Sequence, residues 1–128
     1  MAIWIPCEDG FIEADVIRWK ESAWERWGPR SARAVNIGSR WVTAEVLREE
    51  EGWVYLLVRG CKVLTEKTAR QVKTLKKGSE VKRKRKTIMR GKPERLAWSE
   101  ESVRSVLASK FLGRRKPVSL ASRDADDN

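Results

Sequence analysis

The sequence predicts a mainly β fold of the α+β class: a small antiparallel β-barrel, then a basic arm, then a C-terminal α-helix. Short runs of β-branched and aromatic residues recur at close spacing through the first sixty residues, with turn residues between them. A helix-type pattern follows near the C-terminal end. At 128 residues, the chain can form one compact domain around a single core.

The first strand is predicted over residues 11–19, where β-branched and aromatic residues partly alternate with charges. Asp9-Gly10 is a turn signal, so we expect Ile3-Trp4-Ile5 to be the hairpin partner of this strand. From Glu21 to Ala34 the alternation breaks down, which predicts a long loop or a single helical turn.

The clearest signal is a hairpin, with strands over residues 41–48 and 53–59 joined by the acidic turn at 49–52. A further short strand is expected over 61–64. The apolar and turn pattern of residues 10–65, with Gly38 and Gly52 each preceding a strand, resembles that of SH3-like and Tudor-like small barrels. We expect Trp41 and Trp53 to lie in the core, because both sit in apolar strands.

A short helix is predicted over Thr65–Leu75, from apolar residues at three- and four-residue steps, and it would complete a barrel domain over residues 1–75. Residues 76–97 form the predicted basic arm. In its first half, both alternating sets of positions are charged, so it has no apolar face. This pattern indicates an exposed arm or an edge strand lying along an anion.

The C-terminal helix is predicted over residues 98–116, and residues 117–128 are predicted to be a disordered tail. Ser99 is the expected N-cap, and Gly113 is expected to end the helix. One apolar stripe should pack on the barrel; its residues are Val103, Val106, Leu107 and Phe111, with Lys110 beside them.

The positive charge is concentrated in one stretch. Between Lys62 and Lys92 there are thirteen Lys or Arg against two acids, a surplus of eleven, while the whole chain carries +10. Solubility does not require such a concentration, so we expect an anionic partner. Nucleic acid is the commonest such partner of a small basic protein, because phosphate neutralisation releases condensed counterions.

The expected nucleic-acid-binding residues fall into two groups. Phosphate contacts are expected from Lys73, Lys76, Lys77, Lys82, Arg83, Lys84, Arg85, Lys86, Arg90 and Lys92. Base stacking is expected from Trp24 and Trp27, with Arg26 and Arg30 holding the backbone beside them. DNA is slightly favoured over RNA, since a long basic arm suits a groove or backbone more than a single base.

Histidine is absent and there are two cysteines, Cys7 and Cys61, so the usual nucleophile pairs and histidine metal ligands are missing. We therefore expect no catalytic residue, metal or cofactor, and no membrane partner, since no apolar run could span a bilayer. A cytoplasmic location is expected. Two alternatives remain open: an SH3-like protein-interaction module with a basic linker, and a histidine-free ribonuclease of the small-toxin type using Lys, Arg and Tyr55.

Overall fold

A computed structural model describes residues 2–26, 28–29 and 33–115 of the chain, with side chains as far as Phe111. Trp27, Arg30 and the tail predicted over 117–128 lie outside the described residues. Among the described residues, no helix is long and apolar enough to cross a membrane.

The described residues form six strands and two helices, which confirms the α+β class. In chain order these are β1 (Trp4–Pro6), β2 (Val16–Arg26), β3 (Ala34–Glu50), β4 (Trp53–Glu66), β5 (Glu80–Lys84), α1 (Arg85–Arg90), β6 (Glu94–Leu96) and α2 (Glu101–Arg115). All six strands belong to one antiparallel sheet in the order β1-β6-β2-β3-β4-β5.

The sheet is strongly curled, although the described strands do not close into the predicted barrel. β1 and β5 are its two edges. Flat strands at about 4.8 Å spacing would put β2 and β5 roughly 14 Å apart. Yet Arg83 of β5 donates from Nε to Glu21 of β2 at 2.9 Å. The sheet therefore curls enough to bring the inner faces of β2 and β5 close together. The likeness to SH3-like and Tudor-like barrels stays a prediction.

Strict alternation builds the core inside this curl. The buried side chains include Phe11, Ile17, Trp19, Val42, Ala44, Val46, Val54, Leu56 and, from α1, Ile88. The prediction that Trp41 and Trp53 are core residues is wrong, since both are only half-buried on the outer face. Each neighbours a valine, Val42 or Val54, that takes the inner face, so strand geometry turns the tryptophan outward.

The central hairpin is confirmed, with Glu50 paired to Trp53. The turn residues Glu51 and Gly52 have φ of 53° and 82°, the left-handed values of a tight hairpin turn. The strand bounds differ from the prediction, however, because the strand predicted to start at residue 11 begins at Val16 and both β2 and β3 extend into the predicted loop. β2 continues to Arg26 and β3 begins at Ala34, so the loop predicted over Glu21–Ala34 is wrong. Glu21 and Ala23 occupy the inner face of this part of β2. Because Glu21 is charged although it points inward, the sequence does not show the usual alternation of apolar and polar residues there.

Two other predicted elements are wrong. The Ile3-Trp4-Ile5 run does not pair with β2, because β1 pairs with β6 from the distant arm. The helix predicted over Thr65–Leu75 is absent, since β4 runs to Glu66 and no helix follows before β5. Val72 is buried, and its N–H donates to Glu66 Oε2 at 3.0 Å. Tertiary packing thus overrides the local helical pattern.

Helix α2 begins at Glu101, two residues after the expected cap at Ser99, and passes through Gly113 to Arg115. The predicted packing stripe is also wrong in part, because Val103 and Val106 are 47% and 59% exposed. Among the side chains of this helix that the structure describes, those of residues 101–111, Arg104 is the buried one, and its guanidinium binds the buried carboxylate of Asp15 at 2.6 and 2.8 Å. A buried ion pair therefore fixes α2 at its N-terminal end.

Candidate nucleic-acid interface

Two strands of the sheet, β5 and β6, come from the predicted basic arm, and β5 is an edge strand, which is one of the two alternatives predicted for the arm. Its alternation divides the cations between two faces. Lys82 and Lys84 point outward, with their ammonium groups 4.8 and 4.7 Å from the centre of the Trp53 ring. Both lysines, and Lys86 on α1, are exposed and accessible to an anion.

The two arginines of this run serve the fold instead of lying free on the surface. Arg83 points inward to Glu21. Arg85 lies over the Phe11 ring at 4.0 Å, donates to the Phe11 carbonyl at 2.8 Å and pairs with Glu49. Arg83 and Arg85 thus link this part of the predicted arm to groups that are distant in the sequence, Glu21, Phe11 and Glu49.

A cleft of about 770 Å³ opens beside the part of β2 that lies beyond its pairing with β6, and we name it the basic cleft. Its lining residues are Lys20, Glu21, Ser22, Trp24, Arg40, Arg83, Thr87, Arg90, Gly91 and Lys92. Five of them are cationic and Glu21 is the one acid, so the lining carries a net charge of about +4.

The cleft forms here because β6 covers only the start of β2, pairing with Ile17 and Arg18 in the described residues. After that point the chain turns away at Gly91, whose carbonyl accepts from the Lys20 N–H at 3.2 Å. A Cβ at Gly91 would lie 2.1 Å from the Lys20 carbonyl oxygen. Glycine therefore permits the backbone at residue 91 to approach that of β2 closely, and this approach brings Arg90 and Lys92 beside β2.

Glu21 forms the base of the cleft between two guanidinium groups. It accepts from Arg40 Nε at 2.8 Å and from Arg83 Nε at 2.9 Å. Trp19 Nε1 also donates to it, at 3.3 Å. Burial alone would raise the pKa of Glu21, but the hydrogen bonds and charges of Arg83 and Arg40 outweigh it, so the pKa is lowered. The carboxylate thus stays ionised and holds both arginines in place.

Trp24 stands at the rim of the cleft and is 61% exposed, which is unusual for so large an apolar side chain. It follows a bulge between Ala23 and Trp24 in the β2–β3 pairing. Along β2 it alternates with the buried Glu21 and Ala23, so strand geometry turns the indole outward. Arg26, also exposed, ends the same strand.

Three more of the predicted cations lie on the segment between β4 and β5. Lys73, Lys76 and Lys77 are exposed. The Lys73 carbonyl accepts from Arg40 Nη1 at 2.7 Å, which ties this segment to the cleft base. The structure thus brings Trp24, Arg83, Arg90 and Lys92 into one cleft, with the Lys73 carbonyl adjacent. Lys82 and Lys84 point away from Arg83, toward the Trp53 ring.

Sequence reasoning missed Lys20, Glu21 and Arg40, which complete the cleft. They lie on β2 and β3, outside the basic stretch, and Glu21 and Arg83 are 62 residues apart. It also missed the outer face, where Arg18 lies over the rings of Trp4 and Trp41 at 4.1 and 5.4 Å. Because neighbouring residues of a strand point to opposite faces, an inward Val42 could have predicted that Trp41 lies on the outer face.

Among the described residues, no cluster of three or more acidic or cysteine side chains could hold a metal ion. Comparison with known proteins gave no match to a protein family, a curated protein or a solved structure. Any functional conclusion therefore rests on the geometry and charge of the site itself.

Proposed function

We propose that this protein is a non-enzymatic nucleic-acid-binding protein whose binding site is the basic cleft. The observation that carries the proposal is the convergence of five cationic residues and an exposed tryptophan on one cleft. Cations that neutralise phosphates supply affinity, and an exposed ring supplies a stacking platform for a base. The two features together match what a nucleotide chain presents.

In this proposal, Lys20, Arg90 and Lys92 hold the backbone while Trp24 stacks on an unpaired base. The exposed lysines at 73, 76 and 77 raise the local positive potential and speed the approach of the strand. Stacking requires a base outside a duplex, so a single strand fits the site better than paired DNA. DNA is placed ahead of RNA, because phosphate contacts and stacking need no 2′-hydroxyl.

A cytoplasmic site of action is part of the proposal. It is supported by Cys7 and Cys61, which are both free thiols, as is usual for proteins of a reducing compartment.

The test is a fluorescence-anisotropy titration of short single-stranded DNA, single-stranded RNA and duplex DNA at several salt concentrations. The Arg90→Gln/Lys92→Gln variant should bind more weakly and flatten the slope of log K against log salt by about one to two units, as expected for two lost phosphate contacts. The control, Lys62→Gln/Lys110→Gln, removes the same charge from exposed positions outside the cleft and should change the slope less. Equal effects of the two variants, or no binding to any of the three ligands, would contradict the proposal.

One observation favours a second candidate, a protein-interaction role. Val103 and Val106 are exposed one helical turn apart on α2, and adjacent exposed apolar residues on a helix suit a protein partner. Binding through these valines would depend weakly on salt, which separates it from binding at the basic cleft.

A further inference from the structure

The base of the basic cleft has an uncompensated charge. The side chains of Glu21, Arg40 and Arg83 are 7%, 16% and 23% exposed, so all three are largely withdrawn from water. Two guanidinium groups face one carboxylate, which leaves one positive charge in surplus. A largely buried charge without a partner is costly, so this arrangement favours an added anion.

Arg40 and Arg83 each have more N–H donors than their contacts with Glu21 and with backbone carbonyls use. Arg40 uses Nε and Nη2 on Glu21 and Nη1 on the Lys73 carbonyl. Arg83 uses Nε and Nη2 on Glu21 and Nη1 on the Lys82 carbonyl. Each terminal nitrogen carries two hydrogens and these contacts use one of them, so one hydrogen remains on each of the four terminal nitrogens.

The surroundings of this pair reinforce its preference for an anion. Lys20, Arg90 and Lys92 line the same cleft, and the hydroxyl-bearing residues Ser22 and Thr87 lie beside them. Among the described lining residues, Glu21 is the one acid, and both arginines already bind it. An anion entering the cleft therefore meets cations and hydroxyl donors with little repulsion.

We propose that Arg40 and Arg83, held in place by Glu21, form a subsite for one phosphate group at the base of the basic cleft. Guanidinium groups match the oxygens of a phosphate through paired N–H donors, which a lysine cannot reproduce. The subsite rests on the proposed function in so far as the phosphate belongs to a nucleic acid. A free phosphate or a small phosphate ester would supply the same chemistry.

The first experiment uses inorganic phosphate on the full chain. At about ten times its Kd, phosphate should raise the melting temperature by about 3–6 °C relative to chloride at equal ionic strength. Arg40→Lys and Arg83→Lys keep the positive charge but remove the paired N–H donors of the guanidinium group. Each variant should therefore lose this phosphate-induced rise in melting temperature. The matched control is Arg59→Lys, an exposed arginine paired with Glu45 outside the cleft, and it should keep the rise.

A second measurement does not depend on how well the variants fold. In the unmodified protein, the NMR signals of the Arg40 and Arg83 Nε–H groups should shift on phosphate addition, while that of Arg59 should stay in place. If these signals do not move and phosphate gives no more stabilisation than chloride, the subsite is overturned.

A third measurement identifies the source of the phosphate. For a short single-stranded DNA, Arg40→Lys and Arg83→Lys should each weaken binding about tenfold more than Arg59→Lys does. Salt-dependent DNA binding that is the same in all three variants would overturn the subsite and leave the proposed function standing. A phosphate response without any nucleic-acid binding would keep the subsite for a small phosphate ligand and remove the proposed function.

Discussion

Asp15 shows how a single buried residue can position a whole element. It is fully buried and accepts from the Ile12 N–H at 2.8 Å, from Trp98 Nε1 at 2.8 Å and from Arg104. These donors satisfy a carboxylate that would otherwise be costly to bury. Since Trp98 and Arg104 flank the start of α2, the carboxylate fixes that helix against the sheet.

A second ion pair strengthens the same junction. Arg95 of β6 donates from both terminal nitrogens to Glu101, at 2.8 and 2.7 Å. The Trp98 N–H donates to the same carboxylate. The hydrogen bonds from Arg95, and then the one from Trp98, lower the pKa of Glu101 to about 2. This acid thus remains charged, and keeps its partners, well into the acid range.

Asp15→Asn should lower the free energy of unfolding by about 3–5 kcal/mol, because it leaves Arg104 buried without its counter-charge. Urea denaturation at neutral pH measures the change. The control is Arg48→Gln, whose exposed ion pairs with Glu50 and Glu80 are 3.6 and 3.8 Å long, and it should cost no more than about 1 kcal/mol. Equal losses in the two variants would show that the Asp15 network does not anchor the helix.

At the scale of elements, local pattern was sufficient for the strands where apolar alternation continues up to a tight turn. The hairpin of β3 and β4 was predictable because Val42, Val54 and Leu56 alternate strictly around a Glu-Gly turn. Local pattern failed where the partner is distant. β1 pairs with β6 some ninety residues later, and no periodicity in residues 3–5 records that pairing.

The same limit applied to the candidate site. The cations of residues 73–92 and the exposed Trp24 could be predicted from composition and neighbours. Glu21 and Arg40 could not, because their importance depends on Arg83 reaching them across the curled sheet. The inward direction of Arg83 was also hidden, since in a run of five cations the faces of a strand look identical.

The connection from α1 to β6 gives a prediction at this scale. Gly91→Ala should lower the free energy of unfolding by about 1–3 kcal/mol, because its Cβ would meet the Lys20 carbonyl oxygen at 2.1 Å. It should also weaken nucleic-acid binding, since Arg90 and Lys92 would move away from β2. Thermal melting and anisotropy measure the two effects.

Gly60→Ala is the matched control, because a Cβ there has no neighbour within 4 Å. We expect it to leave both stability and binding close to those of the unmodified protein. Wild-type-like stability of Gly91→Ala would instead mean that the chain does not approach β2 as closely as the structure shows.

At the scale of the molecule, the basic stretch of the sequence is distributed over two surfaces. Arg83, Arg90 and Lys92 line the basic cleft, whereas Lys82 and Lys84 lie around Trp53 on the outer face. The cleft gains Lys20 and Arg40 from β2 and β3, two strands that together carry five basic and five acidic residues and so no net charge. The fold thus assembles a focused anion site from residues that charge counting along the chain would separate.

On our proposal, nucleic acid contacts the basic cleft, and photocrosslinking locates that contact on the chain. A single-stranded oligonucleotide carrying iodinated uracil would be irradiated with the full chain and digested with trypsin, and the crosslinked peptides would be identified by mass spectrometry. We predict that crosslinks concentrate in the peptide of residues 21–26, which contains the exposed Trp24. Crosslinks confined to peptides of α2 or of the outer face, with none at residues 21–26, would contradict the claim.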